Sequence, residues 1–180
     1  MNVYIALLRG INVSGQKIIK MEALKKAFEA LHFDRVTTYI QSGNVVFRSP
    51  SDAALVRTQI ENKLLKAFGY DVVVIVKTIQ EIEKAMKRNP FKKIQTDKGE
   101  RLYVSFLSER PAKAAVQSLT AVKSDVDEIR LIGTEVYILC RNGFGNSLFS
   151  NTFLEKKLAV SATTRNWDTV QKLLSLAKEV

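Results

Sequence analysis

Three short polar runs stand at the edges of apolar segments: Arg9-Gly10-Ile11-Asn12, Gln41-Ser42-Gly43-Asn44 and Thr163-Thr164-Arg165-Asn166-Trp167. Each sets hydrogen-bonding side chains beside a glycine or a helix start, the composition of a ligand site carried on loops. The chemistry these residue types supply is recognition of negative charge. Guanidinium, amide and hydroxyl groups all donate to phosphate or carboxylate oxygens. The third run precedes a helix, with Thr164 or Asn166 as N-cap. Free N–H groups, the hydroxyls of Thr163 and Thr164, and Arg165 then converge on one anion. Trp167 also reads as an anchor of that helix on the core. Lys17 and Lys20 flank the start of the first helix, where cations oppose the helix dipole. An anion docked there reverses the sign of that penalty. Gln41, Ser42 and Asn44 surround a turn glycine; a tight hairpin needs such residues for backbone reasons, and a ligand role stands beside that reading.

Other chemistries lack their residues. His32 is the single histidine, near the end of the first helix, so Ser-His-Asp and Cys-His catalysis would both have to run through it. With one cysteine, Cys140, the chain forms no internal disulfide and no four-cysteine zinc site. There is no Gly-rich phosphate loop and no dinucleotide fingerprint. No metal and no cofactor are expected. Asp71, Asp168 and Glu22 are general-base candidates only by elimination.

The charge balance points the same way as the runs. Lys and Arg number 28 against 18 Asp and Glu, a formal net charge of +10 and a pI near 9.7. The excess is spread along the chain, with a denser stretch at Lys84, Lys87, Arg88, Lys92, Lys93, Lys98 and Arg101. It favours anionic partners, and it equally suits a solvated basic surface. The longest apolar run, Val72 to Val76, is far too short to span a bilayer. One thiol and no secretory leader indicate a cytoplasmic protein without membrane partners.

The elements that must position the runs follow from periodicity. Asn2 to Leu8 reads as a strand, and Met21, Leu24, Phe28 and Leu31 recur at helical spacing. Arg35 to Ile40 and Val45 to Arg48 form a hairpin across the Gln41–Asn44 turn. Ser49 as N-cap and Pro50 as first helical residue open a helix with Val56, Ile60, Leu64 and Phe68 inward, closed by Gly69. Asp71 to Lys77 is the next strand. The order β-α-β-β-α-β is the ferredoxin-like unit. Thr78 and Glu81 form a capping box for a linking helix that stops before Pro90. Beyond a polar loop over Gln95–Glu100 come a strand at Arg101–Leu107, a helix from Pro111, a hairpin of Glu128–Ile132 and Glu135–Cys140, a turn at Gly143–Asn146, a short helix at Asn151–Leu158 and a last helix at Asn166–Lys178. This half reads β-α-β-β-α-α.

The same topology occurs in RNA-recognition modules, which stack bases on aromatics of the sheet. Tyr4 and Phe47 are the aromatics available, without the Gly-aromatic pattern of those modules. Nucleic-acid binding would therefore rest on charge.

Tyr4-Ile5-Ala6-Leu7-Leu8-Arg9-Gly10-Ile11-Asn12-Val13, Tyr39-Ile40-Gln41-Ser42-Gly43-Asn44-Val45-Val46-Phe47 and Ala162-Thr163-Thr164-Arg165-Asn166-Trp167 resemble a bacterial family known only as domain of unknown function 1697. The resemblance covers nearly the whole chain. It implies a cytosolic α+β protein of this size and no particular activity.

The expectation is an α+β chain of two ferredoxin-like (βαββαβ-type) halves with antiparallel sheets, divided into 1–78 and 79–180. Its function is read as binding of a phosphate-bearing anionic ligand, nucleic acid being one such ligand. The ligand residues would be Arg9, Asn12, Lys20, Gln41, Ser42, Asn44, Thr163, Thr164, Arg165 and Asn166. The alternatives are an enzyme acting on a phosphorylated or carboxylated small molecule, and an interaction protein whose polar runs merely shape loops.

Overall fold

The structure, a computed structural model, describes residues 1–95 and 98–180. Thr96 and Asp97, part of the loop expected over 95–100, lie outside the described residues. The chain forms two compact units, Met1–Lys84 with Gln171–Val180, and Ala85–Val170.

In the first unit the order is β1 (Asn2–Leu8), α1 (Met21–Glu29), β2 (Asp34–Tyr39), β3 (Asn44–Ser49), α2 (Ala53–Phe68) and β4 (Val74–Thr78). The strands make one four-stranded antiparallel sheet in the order β2-β3-β1-β4. Alternate residues of β1, namely Tyr4, Ala6 and Leu8, join Phe28 of α1 and Val56, Ile60 and Leu64 of α2 in the core. Phe47 is its centre, stacked on Phe33 at 4.7 Å and edge-on to Phe28 at 5.3 Å. Tyr4 and Phe47, the aromatics a base-stacking sheet would expose, are thus buried in this core, and Tyr4 donates to the Ser51 carbonyl at 2.8 Å.

The start of α2 departs from expectation. β3 runs through Ser49, which pairs with Asn2, and the cap is Asp52, whose Oδ1 accepts from Leu55 N at 2.9 Å. Ladder pairing holds Ser49 in the sheet, so Pro50 lies in the link instead of the first helical turn. Gly69 ends the helix in the left-handed region, φ 72°. β4 opens at Val74, later than the apolar run suggested. The capping box at α3 (Ile79–Lys87) forms as read, with Glu81 N donating to Thr78 Oγ1 at 3.2 Å and Thr78 N to Glu81 Oε2 at 2.8 Å.

The second unit continues with β5 (Arg101–Leu107), α4 (Lys113–Thr120), β6 (Glu128–Ile132), β7 (Glu135–Cys140), α5 (Asn151–Leu158) and β8 (Ala162–Asn166), followed by the first turn of α6 (Trp167–Glu179), whose remainder from Gln171 belongs to the first unit. Its antiparallel sheet runs β6-β7-β5-β8, so both units have ferredoxin-like order. β8 is the correction to the expected β-α-β-β-α-α. Ala162–Asn166 is not a loop before a helix but the strand that completes the sheet, paired with Tyr103–Leu107. Its polar composition hid it, although threonine suits a pleated, half-buried surface. No helix among the described residues is long and apolar enough to cross a membrane.

Candidate functional site

The first two polar runs meet in the first unit. Leu8 N donates to Gly43 O at 2.9 Å, joining the end of β1 to the β2–β3 turn. Asn12 completes the brace. Its Nδ2 donates to Ile19 O at 3.0 Å and to Gln41 O at 2.9 Å, while its Oδ1 accepts from Ile19 N at 2.8 Å. Both amide protons are thereby engaged, and Asn12 fixes the loop. Asn44 is 0% exposed and donates to Tyr39 O and Ser42 Oγ, each at 3.0 Å. Gly43 is required by contact as well as by φ. A Cβ there would lie 2.7 Å from Ile11 Cδ1 and 2.8 Å from Leu8 Cβ, at φ +77°.

These braces hold a rim of unusual backbone. Asn12, Ser14, Lys17 and Ile40 adopt positive φ of 55°, 50°, 45° and 49°. For a β-branched residue such as Ile40 this is a genuine outlier. The rim is cationic. Half-buried Arg9 follows β1 and its N–H donates to Val73 O at 2.9 Å. Lys17 Nζ donates to Asp71 O. Exposed Lys20 occupies the N-cap position of α1 in extended conformation and makes no side-chain cap. Glu22, the acid of that first turn, is paired along the helix with Lys26 at 2.7 Å. The hydrogen bond from Lys26 lowers its pKa. Gln41 is exposed and Ser42 half-buried beside them.

The third run lies in the second unit, on β8. Arg165 is 6% exposed, with Nη1 donating to Thr163 Oγ1 at 2.8 Å and to Thr164 O at 2.9 Å. Burial pulls its pKa down to about 10, which leaves it cationic at neutral pH. Thr163 is buried, and Thr164 Oγ1 donates to Asn151 Oδ1 at 2.6 Å. Asn166 caps α6, its Oδ1 accepting from Thr169 N at 2.8 Å. Sequence reasoning missed a cleft of about 370 Å³ beside this run, lined by Ile94, Glu100, Arg101, Leu102 and Tyr103 together with Asn166, Trp167 and Asp168. The pairing of Tyr103 with Asn166 assembles it, and that register is invisible while β8 is read as a loop.

Doubled ferredoxin-like order with a braced basic rim defines an α+β protein of two similar units. Within that class, the chain belongs to the family described as "Protein of unknown function (DUF1697)", whose model matches residues 1–137. It is similar in fold to the conserved bacterial protein SP0830 from Streptococcus pneumoniae, with a TM-score of 0.77, 17% identity and 98% of each chain covered. None of the curated proteins compared matches it.

Proposed function

We propose that the chain is a binding module for a phosphate-bearing anionic ligand, taken at the rim of the first unit by Arg9, Lys17, Lys20 and the Gln41–Ser42 turn. The observation that carries this reading is the rim itself. Asn12 and Gly43 lock two loops together, and the backbone at Asn12, Ser14, Lys17 and Ile40 is held in a conformation that costs on the order of 1–3 kcal/mol per residue. Strain of that kind concentrates at ligand sites. The cations around it add like charge next to the uncapped start of α1, an arrangement that an anion relieves. The excess of basic residues extends the same preference to the chain as a whole. Arg165, buried on β8, acts in this reading as a structural cation of the second unit.

The test is polyanion affinity as a function of salt. A labelled single-stranded oligonucleotide is titrated with the intact protein and with the Lys17→Gln, Lys20→Gln double variant. The wild type should lose affinity steeply with salt, and the variant's log–log slope should be shallower by about 0.7 for each phosphate contact removed. Equal affinity and equal slope for the two proteins would remove the rim from consideration.

A further inference from the structure

The geometry points to a nucleotide-binding cleft in the second unit, formed where the start of β5 meets the first turn of α6. It is independent of the basic rim and uses different residues. The cleft, about 370 Å³, has two aromatic side chains, one cation and two carboxylates on its walls. That volume lies within the range of small-ligand sites.

The acids on the walls differ in availability. Glu100 accepts from Gln95 N at 2.9 Å through one oxygen and from Arg141 Nε at 3.1 Å through the other, so it is fixed in the wall. Asp168 is exposed and has no hydrogen-bond or ion-pair partner among the described residues. The half-buried Trp167 next to it likewise shows no acceptor for its indole N–H among the described residues. Tyr103 stacks on Phe144 at 4.7 Å, which supports one face of its ring. Arg101 supplies positive charge two residues before Tyr103 on the same strand.

A ligand complementary to this set is a flat heterocycle carrying an exocyclic amine and an anionic tail. The ring lies against Trp167 and Tyr103, the amine donates to Asp168, and the phosphate meets Arg101. An adenine or cytosine nucleotide has this chemistry, free or within a single strand.

Trp167 is the single tryptophan of the chain, so the tryptophan emission comes from a wall of this cleft. Adenosine monophosphate, adenosine, a short oligo-dA strand and inorganic polyphosphate are each titrated into the intact protein. The proposal expects saturable quenching by adenosine monophosphate, by oligo-dA or by both. The arm that responds identifies the source as free nucleotide or strand. Asp168→Asn should weaken binding roughly tenfold. Arg101→Gln should weaken the monophosphate by a similar factor and leave adenosine unchanged, with the unfolding midpoint preserved in each variant. The Lys17→Gln, Lys20→Gln variant should keep the full response, which separates this cleft from the rim. Absence of saturable quenching with every base-containing probe overturns the proposal. So does quenching by polyphosphate equal to that by the nucleotides, or unchanged affinity in both cleft variants.

Discussion

Asn12 and Gly43 carry the clearest division between residues that hold the rim and residues that face outward from it. Asn12 makes three side-chain hydrogen bonds to two backbone segments. Asn12→Ala should therefore lower stability by about 2–4 kcal/mol, measured by denaturant unfolding, since each lost bond contributes roughly 1 kcal/mol and two of them leave the part-buried N–H and carbonyl of Ile19 unpaired. Gly43→Ala combines the clash with Ile11 and Leu8 and a positive φ. It should cost about 2–4 kcal/mol by the same measurement, the sum of overpacking and left-handed strain. Wild-type stability in either variant would show that the loops are not braced as described. Cys140 gives a chemical prediction at this scale. Burial, then the nearby Asp127 charge, pushes its thiol up to about 11, so it is protonated at pH 8 and shielded. A thiol reagent at pH 8 should react with the unfolded chain and only slowly with the native one; rapid native modification would contradict the burial. The sequence marks Asn12 and Asn44 as polar residues at turns; Asn12 bonds the backbone of Ile19 and of Gln41 in a different loop, and Asn44 bonds Tyr39 O across the hairpin and the neighbouring Ser42 Oγ. Side-chain type is visible in the chain, whereas the direction in which an amide points is set by tertiary contacts.

At the scale of elements, strands and helices with strong apolar periodicity were legible. β5, β6, β7 and α5 occupy the spans that their patterns indicate. What was not legible lies where pairing overrides local preference. Ser49-Pro50 has the composition of a helix start, but the ladder with Asn2 keeps Ser49 in β3 and moves the cap to Asp52. Asp52→Ala should accordingly cost about 1 kcal/mol of stability, in the range measured for N-cap deletions. A neutral result would return the cap to Ser49. β8 is the larger case. Ala162–Asn166 has no apolar alternation, and its strand identity comes from β5 and from the Thr164–Asn151 bond. Reading it as a loop kept Arg165 apart from the sheet and concealed the cleft that Tyr103, Trp167 and Asp168 line.

For the whole molecule, two units of the same strand order make up most of the chain, and its formal net charge is +10, a balance that suits anionic partners and a solvated basic surface alike. Charge alone does not distinguish a solvated surface from a binding face. We propose the rim of the first unit as such a face, because cations, positive-φ backbone and an uncapped helix start occur together there. Amide chemical shifts of the intact protein during titration with inorganic pyrophosphate test this most directly. A phosphate-binding rim gives saturable changes centred on Arg9 to Glu22 and on Gln41 to Asn44. Shifts that fail to saturate, or that leave both segments unmoved while others respond, would contradict it.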